Sequence, residues 1–244
     1  MSGHSKWSSI KHKKAAQDAR RGKLFGKLLR AVEVAARGGS DPAANPTLAQ
    51  AIEKARSYSM PADNIERALK RGSGEVEGAQ YEEIWYEGYA PGGVALYVEV
   101  LTDNRNRAGA DVRSAFSRGG GSLGEPGSVS YVFDQKGYLL VRGDEEEVML
   151  AALEGGAEDV QRSGDLWEVI TLPGDLQAVR QAFDQGGVEV DSAEVTQLPR
   201  AVVPVDRAAA PRVLRLIETL EELDDVQAVY SNFDIPEDVL AEVG

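Results

Sequence analysis

An α+β multidomain protein that opens with a basic helical domain is what this sequence predicts. Three observations predict it. Up to Gly72 the apolar residues recur at spacings of three and four, the period of a helix. From Tyr81 onward aromatic and β-branched residues dominate, in short runs set off by glycines, the pattern of strands alternating with helices. The charge divides at the same place. Residues 1–72 hold 15 Lys and Arg against 6 Asp and Glu, a net of +9, whereas residues 73–244 hold 12 against 34, a net of −22.

Leu24, Phe25, Leu28, Leu29, Val32, Ala35 and Ala36 form one face of a first helix, which Gly38-Gly39 ends. Asn45-Pro46 supplies an N-cap and a first helical residue for a second helix with Leu48, Ile52 and Ala55 inward. A third short helix carries Ile65 and Leu69 and stops at Gly72. Strands follow at Ile84–Tyr89 and Val94–Leu101, joined by the turn Pro91-Gly92-Gly93. A helix is expected over Arg107–Arg118, with Asp103 or Asn106 as its cap, and a strand over Val129–Phe133.

The next stretch repeats a β-α-β-β-α-β order, the ferredoxin-like pattern. It comprises a strand Tyr138–Val141, a helix Glu145–Leu153 capped by Asp144, strands near Val160 and at Leu166–Leu172, a helix Asp175–Phe183 and a strand Val188–Val195. A strand Ala201–Val205, a helix from near Pro211 and a strand Val226–Phe233 close the chain. The last helix and strand would complete the unit begun at Tyr81 if one α+β unit is inserted in the other. Spacing alone leaves that pairing open.

Composition excludes several classes of chemistry. The 244 residues contain no cysteine and two histidines, His4 and His12, so thiolate zinc, cysteine nucleophiles and histidine-built metal or acid–base centres are not expected. No metal or cofactor is predicted. No apolar run approaches the roughly 18 residues that cross a bilayer. Met1 to Lys14 is basic and polar, without the apolar core of a secretory signal. The expectation is a cytoplasmic protein with no membrane partner.

The basic segment is the leading candidate site: Lys6, Lys11, His12, Lys13, Lys14, Arg20, Arg21, Lys23, Lys27 and Arg30, with Trp7 among them and Arg67, Lys70 and Arg71 added by the third helix. Lys and Arg bind phosphate backbones by charge and counterion release, and an aromatic ring stacks on unpaired bases. A candidate second contact is Asp103, Asn104, Arg105, Asn106 and Arg107 at a strand end, with Arg113 on the helix beyond. The loop Gly119-Gly120-Gly121-Ser122-Leu123-Gly124-Glu125-Pro126-Gly127-Ser128 lacks the Gly-Lys-Ser/Thr end of a phosphate-binding loop and is expected to be structural. The acids Glu221, Glu222, Asp224 and Asp225 look like a solvated helix end.

Several of these stretches carry a resemblance. Gly3-His4-Ser5-Lys6-Trp7, Ile10-Lys11-His12-Lys13-Lys14, Met60-Pro61-Ala62-Asp63-Asn64-Ile65-Glu66-Arg67-Ala68, Tyr86-Glu87-Gly88-Tyr89, Leu101-Thr102-Asp103-Asn104-Arg105-Asn106-Arg107 and Gly120-Gly121-Ser122-Leu123-Gly124 with Gly127-Ser128-Val129 resemble, in order, the motifs of the YebC/PmpR family. Ala62, Ala90 and Ala108 depart from it, standing where lysine, glycine and threonine are expected. The resemblance implies a helical domain at 1–74, an α+β domain built from 75–134 and 200–244, and an inserted α+β domain at 135–199. It implies a non-enzymatic regulator of gene expression with nucleic acid as partner and no small-molecule substrate. Bacterial members of the family are described as DNA-binding transcriptional regulators. Others, among them the mitochondrial translational activator of cytochrome c oxidase subunit I, act on translation, so a ribosome-associated factor that contacts rRNA or tRNA and relieves stalling is the alternative.

Overall fold

The computed structural model describes residues 18–236 and Val239. The chain divides into two compact units: Phe133–Arg200, and the stretches on either side of it.

In the flanking unit, α1 (Asp18–Ala36), α2 (Pro46–Ser57) and α3 (Ala62–Gly72) form the helical domain. Val32, Leu48, Ile52, Ile65 and Ala68 meet in its core. Each larger aliphatic side chain buried there contributes about 2 kcal/mol relative to exposure. Asn45 fastens α1 to α2. Its side-chain oxygen accepts the Leu48 N–H at 3.1 Å, while its amide donates to the carbonyls of Ala35 and Gly39, both at 2.8 Å. One residue thus satisfies orphan groups at the end of one helix and the start of the next.

The α+β part of this unit begins with the hairpin β1 (Glu82–Ala90) and β2 (Val94–Thr102). Gly92 and Gly93 take φ of +85° and +78° in its turn, a conformation that costs glycine nothing. Next come α4 (Arg105–Arg118) and the two-residue strand β3 (Ser122–Leu123). After the inserted unit the chain returns with β8 (Val203–Pro204), α7 (Ala210–Glu221), β9 (Val226–Ser231) and β10 (Phe233–Asp234). The sheet order is β3-β1-β2-β9, antiparallel throughout. The last helix and strand therefore complete the domain begun at Tyr81. Val94, Leu96, Val98 and Val100 are fully buried on one face of β2, against Val112 and Phe116 of α4 and Leu216, Ile217 and Leu220 of α7.

Three expectations need correction. No strand spans Val129–Phe133: Ser130–Val132 is a 3₁₀ turn, and the next strand begins at Phe133. The N–H groups of Val129 and Ser130, which a strand would offer to a neighbour, are taken by the Glu87 carboxylate at 2.6 and 2.9 Å. The strand expected over Val226–Phe233 breaks at Asn232, whose side chain accepts the Ala95 N–H at 2.8 Å and donates to the Ala201 carbonyl at 3.2 Å. The strand expected over Ala201–Val205 is only the two-residue β8, paired in parallel with β10.

Phe133–Arg200 contains β4 (Phe133–Arg142), α5 (Glu145–Gly155), β5 (Asp159–Ser163), β6 (Leu166–Thr171), α6 (Leu176–Gln185) and β7 (Glu189–Pro199). All pairs are antiparallel in the order β5-β6-β4-β7, the ferredoxin-like arrangement. Leu139, Val141, Val169, Leu176, Val179 and Phe183 form its own core. Asp144 caps α5 by accepting the Glu146 N–H at 3.1 Å.

Candidate nucleic-acid interface

Lys6, Trp7, Lys11, His12, Lys13 and Lys14 lie outside the described residues. Arg20 and Arg21 fall in the first turn of α1. Lys23, Lys27 and Arg30 recur at four and three residues and so share one side of that helix.

Lys27 and Arg30 on that side are half-buried, while Lys23 stays exposed. The side meets the C-terminal end of α7. Lys23 Nζ donates to the Glu222 carbonyl at 3.2 Å and lies 3.7 Å from the Asp224 carboxylate. Lys27 Nζ donates to the Glu221 carbonyl at 2.5 Å. Arg30 Nη1 donates to the carbonyls of Leu101 at 3.0 Å and Asp224 at 2.8 Å, and to Asp225 Oδ1 at 3.2 Å. A helix end leaves its last carbonyls without N–H partners and carries partial negative charge, so three cations in a row suit it. Two further contacts extend this seam. The Arg30 guanidinium sits 5.0 Å over the Tyr81 ring, and Arg37 donates to the carbonyls of Tyr81 and Ala79.

The second candidate stretch converges on the same place. Asp225 is 8% exposed. Its Oδ2 accepts Arg107 Nη2 at 2.9 Å and the Thr102 hydroxyl at 2.9 Å, while Oδ1 takes Arg30. Its carbonyl accepts the Leu101 N–H at 2.9 Å. One carboxylate thus ties α1, the end of β2 and the start of α4 together. Beside it is a cleft of about 580 Å³, lined by Lys23, Arg30, Arg107, Asp111 and Asp224 among others.

The helix cap is Asn104, not Asp103 or Asn106. Asn104 Oδ1 accepts the Arg107 N–H at 3.0 Å, and its own N–H is held by the Thr102 hydroxyl. Asp103 instead binds Arg107 Nη2 at 2.7 Å, and this hydrogen bond holds its carboxyl below the ordinary range. Asp225 and Asp103 in turn raise the Arg107 guanidinium above its ordinary value. Arg105 lies 3.6 Å from Glu82, both well exposed, and Asn106 and Arg113 are exposed on α4.

On α3, Arg71 Nε donates at 2.8 Å to the buried carboxylate of Glu33, which makes Arg71 part of the α1–α3 contact. Lys70 pairs with Glu66 one turn away at 2.6 Å. Arg67 donates to Asn64 Oδ1 at 3.1 Å and stays exposed. Of the predicted cations with described side chains, Lys23, Arg67, Arg105, Arg107 and Arg113 are exposed.

The glycine-rich loop already holds an anion, and it is the chain's own. Glu87 accepts N–H groups from Gly127 at 2.8 Å, Val129 and Ser130. Burial pushes this carboxyl up, but the three N–H donors and the Ser130 hydroxyl together outweigh burial and leave it below the ordinary range. The donors a phosphate would need are therefore occupied.

Glu33 and Arg37 were not singled out by sequence, Glu87 stood only within a motif of the resemblance, and the reading of Asp225 as solvated is corrected by its burial. Asp225 sits in a run of acids that reads as solvated, and nothing local separates it from Asp224.

The sequence matches the family model described as TACO1/YebC protein N-terminal domain over residues 5–75, and that described as TACO1/YebC second and third domain over residues 81–233. A protein of Rubrobacter xylanophilus named "Probable transcriptional regulatory protein" is 58% identical, covering 100% of this chain and 99% of its own. Proteins of the same name from Thermobifida fusca and Desulfatibacillum aliphaticivorans are 56% and 54% identical, covering 100% and 99% of this chain and all of theirs. The crystal structure of a conserved hypothetical protein from Aquifex aeolicus superposes with a TM-score of 0.81 at 49% identity, covering 90% of this chain and 93% of the other.

Proposed function

The chain belongs to the TACO1/YebC family, and from that premise we propose that it is a non-enzymatic, nucleic-acid-binding regulator of gene expression that acts on transcription through DNA. The observation that carries the proposal is the charge division: a net of +9 in residues 1–72 on a chain whose remainder carries −22. The name borne by the bacterial relatives supports the transcriptional reading. Phosphate contact then falls to Lys6, Lys11, Lys13, Lys14, Arg20 and Arg21, with Trp7 and His12 among them and Arg67 and Lys70 from α3. Lys23, 58% exposed, can add a phosphate to its contact with α7, whereas Lys27 and Arg30 join only by giving up carbonyl and, for Arg30, carboxylate oxygens. Arg105 and Arg113 are the members of the second stretch suited to contact, since Arg107 is committed to Asp225.

A ribosome-associated factor on rRNA or tRNA is the second reading. The inward turn of the α1 cations favours it. A helix whose basic side is held by its own protein offers little to base edges in a major groove, whereas shape-directed RNA binding needs mainly phosphate and 2′-hydroxyl contacts.

Lysate sedimented on sucrose gradients with and without RNase separates the two readings. RNase-sensitive migration with ribosomal particles overturns the transcriptional reading. Migration away from them, with a sequence-specific footprint on DNA, upholds it. In either case binding is expected to weaken with salt. Neutralising about five phosphates gives a slope of log K on log salt of roughly −4 to −5 on duplex DNA, and less on single strands. A flat response would contradict both readings.

A further inference from the structure

Helix α5 is built the wrong way round for a helix whose only role is to pack on its own sheet. Its buried side is small: Val148, Ala151 and Ala152 face the core. Its large aliphatic side chains point outward, with Met149 49%, Leu150 57% and Leu153 79% exposed. Burial favours the opposite choice by about 2 kcal/mol per large side chain, so an apolar stripe held in water marks a surface meant to be covered. Glu145, Glu146, Glu147 and Glu154 border the stripe, all exposed, and among the described residues none of them makes an ion pair. The whole of 133–200 carries 5 Lys and Arg against 15 Asp and Glu, a net of −10.

We propose that the Met149–Leu150–Leu153 stripe of α5 is a docking surface for a cationic amphipathic helix of another protein. The stripe has the width and the i, i+1, i+4 spacing of a helix-on-helix contact. The acids beside it select the charge of the occupant. A second copy of this chain would bring −10 against −10, and nucleic acid or an anionic membrane would meet the same repulsion. The stripe belongs to the unit Phe133–Arg200, whereas the basic residues assigned to nucleic acid belong to the other unit.

The test is a photo-crosslinking amino acid, p-benzoylphenylalanine, placed at Leu153 of the full-length chain in cells, with the same group at the exposed hairpin residue Asp165 as control. The expected result is a protein adduct at position 153 only. Mass spectrometry of it should identify a basic protein, with the linked peptide rich in Lys or Arg and carrying spaced aliphatic residues. Combining the label with Glu145→Gln, Glu146→Gln and Glu147→Gln should reduce the adduct about tenfold. A thermal melt unchanged from the parent shows that each labelled chain is folded, as the exposure of these positions leads one to expect. The proposal is overturned by an adduct to a second copy of this chain, to nucleic acid or to an acidic segment. It is equally overturned by an adduct indifferent to the three glutamate changes, or by none above the Asp165 control.

Discussion

At Asp225 two guanidinium groups and a threonine hydroxyl share one buried carboxylate. Removing a single partner from such a cluster leaves charge buried without compensation. Asp225→Asn is expected to cost about 3 kcal/mol and to lower Tm by several degrees, read by calorimetry. Arg30→Met combined with it should cost less than the two changes summed, because the orphaned cation is gone. A parent-like Tm for Asp225→Asn would show that the clasp contributes nothing. Glu87 offers a test with a pH axis. Its folded carboxyl titrates below the ordinary value of 4.5. Its stabilising effect is therefore complete above about pH 4.5 and lost as pH falls through the lowered folded value. Glu87→Gln should lose about 2 kcal/mol at pH 7 by urea denaturation. The gap between parent and variant should close as the medium is acidified below about pH 4.5. A gap independent of pH would mean that the loop is held by something other than the ionised carboxylate.

Among the elements, α1 and the stretch of sequence before it hold two kinds of cation. Lys23 and Lys27 cap the end of α7, whereas Lys11, Lys13 and Lys14 precede α1. Lys23→Ala with Lys27→Ala should therefore destabilise the protein by about 1 kcal/mol, the usual worth of cations at a helix C-terminus. Lys11→Glu, Lys13→Glu and Lys14→Glu should instead abolish nucleic-acid binding and leave the melting curve in place. Anisotropy titrations and thermal melts on the same variants check both. If the first pair abolishes binding at unchanged stability, its lysines serve the ligand and the contacts to α7 are incidental. The elements themselves were largely legible, because helical and strand periods are local properties of the chain. Where elements were misread, a side chain had taken over backbone groups. Glu87 captures the N–H groups of Val129 and Ser130, and Asn232 breaks the last long strand. No window of sequence around Val129 contains Glu87.

At the scale of the whole molecule, Phe133 faces Pro199 across the β4–β7 ladder, so the two ends of the inserted unit lie side by side. With its own core and closed strand order, the fragment 133–200 is expected to fold alone and to unfold cooperatively in urea, as followed by circular dichroism. A fragment without a cooperative transition would show that it depends on the rest of the chain. The sequence by itself determined the order of elements, the basic and acidic halves and the family, since composition, period and motif are all written along the chain. Only the tertiary structure decided which cations are available. Arg30 and Asp225 are 195 residues apart, and Lys27 and Glu221 are 194 apart. A lysine that grips a helix end and a lysine left for phosphate are the same letter in the sequence. What separates them is the return of α7 and β9 to the sheet that β1 and β2 began. That return puts carbonyls with unfilled lone pairs against one side of α1, where three cations satisfy them.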